Sequence, residues 1–129
     1  MGLAGVTYRM ARILVIDDDT EIRSIIAALL AAAGHDVEQA GDGDAGLKRY
    51  HPSLIDLVIT DIEMPKRDGF EVMMDLRARG ARTPVIAISD AFRIDPYLEM
   101  ARLLGAACTL EKPFRATQLL AAVAQALAR

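Results

Sequence analysis

Residues 13–22 read Ile13-Leu14-Val15-Ile16-Asp17-Asp18-Asp19-Thr20-Glu21-Ile22, an unbroken apolar run that stops on three consecutive acids and then opens into a helical pattern. Four aliphatic residues in a row suit a strand covered on both faces, as in a parallel sheet. Downstream, Ile22, Ile25, Ile26, Leu29 and Leu30 fall at i, i+3, i+4, i+7 and i+8 and predict one apolar stripe on a helix that ends at Gly34. Strand, acidic turn and helix make one βα unit, and the rest of the chain repeats it.

Further strands are predicted over residues 36–40, 55–60, 85–88 and 108–110. Helices are predicted over about 44–50 and 69–79, from Asp95 as cap with Pro96 in the first turn, and through Leu119, Leu120, Val123 and Leu127 at the end. The first, third and fourth strands are the most apolar, so they should be central. The alternation predicts an α/β fold, a single-domain (βα)5 doubly wound parallel sheet in three layers. Residues 1–10 read as a flexible leader and 11–129 as the domain, with no space left for an attached effector domain.

The 129 residues are 53% hydrophobic and 26% charged, too apolar for disorder. Lys+Arg 15 against Asp+Glu 18 gives −3, which leaves no basic field for direct nucleic-acid or anionic-membrane binding. The single cysteine, Cys108, reads as a small core residue; it excludes an internal disulfide or a cysteine-rich metal site. With no secretory signature and no apolar stretch long enough to span a bilayer, a cytoplasmic protein is expected.

Open parallel sheets bind ligands beyond the carboxyl ends of their strands. Those ends here carry Asp17-Asp18-Asp19, Asp61, Ser89-Asp90 and Glu111-Lys112-Pro113. Clustered carboxylates repel unless a cation lies among them, and an oxygen-only set without His or Cys points to Mg²⁺, with Mn²⁺ also suitable. A carboxylate beside such a metal, with a lysine and a serine converging on it, is equipment for accepting a phosphoryl group. Asp19 and Thr20 are ordinary helix-cap types, so Asp19 stays outside the metal set. Gly41-Asp42-Gly43-Asp44-Ala45-Gly46 lacks the residues of a phosphate or calcium loop and reads as a turn, and His35 and His51 read as surface histidines.

Ile16-Asp17-Asp18, Thr60-Asp61-Ile62-Glu63-Met64-Pro65 with Asp68-Gly69, Ile88-Ser89 and Lys112-Pro113-Phe114 together resemble the receiver domain of two-component response regulators, of the stand-alone CheY-like type. The resemblance runs from about Arg12 to the C-terminus. It implies a flavodoxin/CheY-like sheet of order 2-1-3-4-5 and a phosphoacceptor at Asp61 that takes its phosphoryl group from a sensor histidine kinase or a histidine phosphotransfer protein. It further implies Mg²⁺ held by Asp17, Asp18, Asp61 and the backbone carbonyl of Glu63, a switch hydroxyl at Ser89, and an ion-pair partner at Lys112, whose bond to Pro113 would be cis. The family's chemistry is confined to its own phosphorylation and dephosphorylation, so no other enzyme activity is expected. Output would pass to a downstream protein through the face formed by the fourth helix, fifth strand and fifth helix, from a monomer or a phosphorylation-dependent homodimer.

The chain departs from the family pattern at two places, and a third position bears on the chemistry. Thr109 stands where an aromatic is usual, so Phe92 or Tyr97 would substitute or the switch would work by loop order. Asp90 follows the switch hydroxyl where a small residue is usual and adds negative charge at the entrance. Glu63 occupies a position whose side chain tunes water access in the family, and it is close enough in sequence to approach the metal. Three competitors are weighed: a haloacid-dehalogenase-type Mg-dependent phosphatase, for which Glu21 stands in the wrong place; a flavodoxin-like flavin binder, whose cofactor phosphate the acidic first turn would repel; and the receiver fragment of a longer multidomain regulator.

Overall fold

The computed structural model describes residues 10–90 and 96–128. The predicted leader, except Met10, and the residues Phe92 and Asp95 lie outside those described. The element order is β1 (Arg12–Ile16), α1 (Thr20–Ala32), β2 (Asp36–Ala40), α2 (Gly43–Arg49), β3 (Leu57–Asp61), α3 (Gly69–Ala78), β4 (Val85–Ser89), α4 (Tyr97–Leu103), β5 (Cys108–Glu111) and α5 (Ala116–Leu127). All strands pair in parallel in the order β2-β1-β3-β4-β5. The three most apolar strands are therefore the internal ones, as their composition predicts.

Strand alternation divides β1 between two cores. Ile13 and Val15 join Ile59, Ile86 and Ile88 beneath Ile26 and Leu30 of α1 and Leu119 and Val123 of α5. Leu14 and Ile16 face the other way, with Val58 and Val85, onto Leu47 of α2 and Met73 and Leu76 of α3. A smaller cluster of Ile62, Phe70, Ala87 and Ala101 seats α4.

Differences from the sequence expectations are local. Ile25 leaves the predicted stripe and is 55% exposed. The buried arc of α1 is centred on Ile26, Ala27 and Leu30, and a turn of about 100° per residue carries Ile25 to solvent. Strands β3 and β4 each run one residue further than predicted, because the parallel ladder extends into the polar ends, pairing Asp61 with Ile88 and Ser89 with Glu111. Ile55 and Asp56 precede β3 instead of opening it: the Ile55 amide closes a turn onto the His51 carbonyl. Pro96 is the N-cap of α4, one residue before the helix. His35 is half-buried instead of on the surface; its Nδ1 accepts from the Ala11 amide, and burial pushes its pKa down.

Aspartates close three of the turns at the carboxyl edge of the sheet. Asp19 caps α1, accepting from the Glu21 and Ile22 amides, and Asp42 caps α2 through the Ala45 amide. Asp68 caps α3 in a reciprocal box with Glu71. These caps satisfy helix-end amides and account for acids at this edge that do not enter the site.

Candidate functional site

The ends of β1, β3, β4 and β5 converge on one acidic pocket. Asp17 is buried at the end of β1, and its Oδ1 accepts from the Asp19 amide at 2.9 Å. Asp61 is buried at the end of β3, and its Oδ1 accepts from the Glu63 amide at 3.3 Å. Between them lies the Lys112 ammonium, just beyond β5, 3.0 Å from Asp17 Oδ2 and 3.1 Å from Asp61 Oδ2. Asp18 is exposed, yet one carboxylate oxygen each from Asp17, Asp18 and Asp61 can be chosen so that all three lie within 4.8 Å of one another. The Lys112-Pro113 bond is cis.

Burial, reinforced by the neighbouring Asp17 charge, pushes the Asp61 pKa up to about 6, with Lys112 pulling the other way. For Lys112, burial disfavours the charge, but its hydrogen bond to Asp17 and the charges of Asp61 and Asp17 prevail and raise its pKa, so the ammonium persists. Three carboxylates thus face one ammonium, a surplus of two negative charges. A hard divalent cation fits that donor set by charge and by ligand type.

Ser89, fully buried at the end of β4, donates from Oγ to Glu63 Oε1 at 2.5 Å. The sequence points to Ser89 and to the Glu63 backbone, but not to this contact. A second feature missed in the sequence is Arg23 of α1, whose guanidinium donates to the Asp17 carbonyl at 2.7 Å and to Gln39 Oε1 at 3.2 Å. A third is Arg67, which pairs with Asp44 at 3.0 Å and Asp75 at 3.1 Å and so fastens the β3–α3 loop to α2 and α3. Just before it, Lys66 takes φ 68°, the left-handed region. Gly69 follows, and a Cβ there would collide with the Asp61 carbonyl oxygen and the Ile62 Cα, so only glycine allows this approach.

Beside the pocket, an open cleft of about 390 Å³ is lined by Ile62, Glu63, Met64, Pro65, Asp68, Phe70 and Tyr97. Tyr97 packs edge-on against Phe70 with ring centroids 5.5 Å apart. Thr109 is half-buried on β5 opposite Ala87, and Asp90 is exposed. Cys108 is half-buried, its Sγ 3.7 Å from the Ala122 carbonyl.

A sequence profile described as the response regulator receiver domain matches residues 13–124. The chain belongs to that family. Its relatives include the transcriptional regulatory protein DltR of Streptococcus agalactiae, 41% identical over 113 residues that cover 87% of this chain and 50% of DltR. The transcriptional regulatory protein PdtaR of Mycobacterium tuberculosis is 34% identical over 119 residues, 92% of this chain and 57% of PdtaR. Among solved structures, the chemotaxis protein CheY4 of Vibrio cholerae superposes with a TM-score of 0.85 at 30% identity, covering 92% of this chain and 100% of that one. The receiver therefore spans about half the length of these two transcriptional regulators. Nothing in the matches supports the phosphatase or the flavin binder, and a receiver's place in two-component signalling as a phosphoacceptor applies to this chain. Among the described residues, no helix is long and apolar enough to cross a membrane.

Proposed function

We propose that this receiver takes a phosphoryl group onto Asp61 from the phosphohistidine of a sensor histidine kinase or histidine phosphotransfer protein, and signals by phosphorylation-dependent protein contact. The observation that carries the reading is the Lys112 ammonium bridging Asp17 and Asp61 at 3.0 and 3.1 Å, within a three-carboxylate cluster. Asp17, Asp18, Asp61 and the backbone carbonyl of Glu63 would hold Mg²⁺, or Mn²⁺ in its place. When bound, the metal supplies counter-charge to the oxygens of the transferred group.

The chain's own residues divide the remaining work. Asp61, with a pKa of about 6, is predominantly ionised at neutral pH and is the nucleophile. One of its oxygens bonds to phosphorus as the donor's phosphorus–nitrogen bond breaks. Lys112 places a positive charge beside Asp61 Oδ2, where negative charge gathers. Ser89 has a buried hydroxyl proton to donate to a phosphoryl oxygen. No catalysis beyond the receiver's own phosphorylation and dephosphorylation is assigned.

Output is assigned to the face of α4, β5 and α5, where Met100 and Leu103 are 38% and 76% exposed. With Thr109 in place of an aromatic, Tyr97 at the start of α4, already packed on Phe70, is the ring placed to respond. The domain is taken as residues 11–129 after a leader, acting in the cytoplasm as a monomer or a phosphorylation-dependent homodimer. Intact-mass measurement after incubation with acetyl phosphate tests the reading. The expected result is a Mg²⁺-dependent, alkali-labile adduct that Asp61→Ala abolishes. No adduct from acetyl phosphate or from a phosphohistidine donor, with the fold intact, overturns it.

A further inference from the structure

We infer that the Glu63 carboxylate occupies the Ser89 hydroxyl in the resting protein, and that phosphorylation of Asp61 proceeds with transfer of that hydrogen bond from Glu63 to the phosphoryl group. The inference rests on the roles proposed above for Asp61 and Ser89.

Three observations carry it. Ser89 Oγ donates to Glu63 Oε1 at 2.5 Å, so the hydroxyl is already engaged in the resting protein. Ser89 is fully buried and its backbone is fixed in the parallel ladder opposite Glu111, so its hydroxyl can turn but the residue cannot withdraw. Glu63, by contrast, is exposed on the β3–α3 loop and borders the 390 Å³ cleft, so its carboxylate has solvent to move into. Its amide meanwhile donates to Asp61 Oδ1, so a single residue marks both the acceptor and the switch hydroxyl.

A serine hydroxyl has one proton to give. A carboxylate and a phosphoryl oxygen are both anionic acceptors, and holding both at hydrogen-bond distance from that proton sets like charges against each other. With acetyl phosphate as donor, an Asp61 oxygen bonds to phosphorus, the bond from phosphorus to the acetyl oxygen breaks, and acetate leaves with its electron pair. Ser89 keeps its proton and changes only its acceptor; Glu63 remains a carboxylate and exchanges Ser89 for water. Glu63 is thus a positioning residue whose effect on the reaction runs through Ser89.

A double-mutant cycle tests this. Initial rates of phosphoryl uptake from acetyl phosphate are read by quenched intact mass at saturating Mg²⁺ for the parent protein, Glu63→Ala, Glu63→Gln, Ser89→Ala and both Glu63 variants combined with Ser89→Ala. Freeing the hydroxyl from its partly solvated acceptor should speed uptake about three- to tenfold in Glu63→Ala. Glu63→Gln, which keeps an acceptor oxygen without the charge, should fall between, and both gains should vanish in the Ser89→Ala background. Equal acceleration by Glu63→Ala with and without Ser89 would show general charge repulsion and overturn the inference, as would an unchanged or slower rate in Glu63→Ala. A parent protein that takes no phosphoryl group overturns the functional reading and this inference together, whereas uptake with additive variants overturns this inference alone.

Discussion

The Arg23 guanidinium donates to the backbone carbonyl of Asp17 at 2.7 Å, while its Nε reaches Gln39 Oε1 on β2. A side chain from α1 therefore braces the strand end that carries the buried acid. Arg23→Met retains the aliphatic stem but leaves the carbonyl without its charged donor. It should cost about 1–2 kcal/mol in urea unfolding with an unchanged m-value. A loss below about 0.3 kcal/mol would show that water replaces the guanidinium freely.

Lys112 is the ammonium between Asp17 and Asp61, so Lys112→Ala removes the positive charge on which the proposed transfer to Asp61 relies. Uptake from acetyl phosphate should fall by about a hundredfold, the scale seen when one preorganised donor is removed from a reacting centre. Binding of Mg²⁺, followed by calorimetry, should persist because the three carboxylates remain.

Asp61 binds its proton more tightly in the fold than in the unfolded chain, since its pKa rises from 3.8 to about 6. Its contribution to stability is therefore fully present below about pH 3.8 and is lost as pH rises through about 6. In metal-free protein, Asp61→Asn should be stabilising by about 1–3 kcal/mol at pH 8, with the gain shrinking toward pH 4. Thermal melts in chelator at the two pH values measure the difference, and added Mg²⁺ should narrow the gap at pH 8.

Lys66 adopts φ 68°, where a side chain is strained by roughly 1 kcal/mol and glycine is not. Lys66→Gly should therefore leave the melting temperature level or raise it slightly, against the usual cost of adding a glycine to a loop. A drop of several degrees would mean that the lysine side chain makes a compensating contact.

The fold was legible because its signals are periodic. Ile13 to Ile16, the apolar residues of β3 and those of β4 announce internal strands whichever helix covers them, and acids at their ends locate the working edge. Asp17, Asp18, Asp61, Ser89 and Lys112 could be named as candidates because each sits at a strand end, whose direction a parallel sheet fixes. The Glu63–Ser89 contact, Arg23 and Arg67 escaped for the opposite reason. A long side chain leaving a loop or the first turn of a helix can reach several partners, and which one it takes depends on the packed backbone. Ile25 was misread because five apolar residues on α1 span more arc than the sheet covers.

Gly69 has no side chain to hold α3 away from the carbonyl of Asp61. Its amide donates to the Ile62 carbonyl, so the helix start and the peptide beyond Asp61 meet with no cushion between them. Asp61 thus has two working surfaces: a buried carboxylate in front, paired with Lys112, and a peptide behind, on which a ten-residue helix stands. A shift of that peptide acts on α3 as a footing acts on a column, and a methyl group at position 69 would be a wedge driven into the joint.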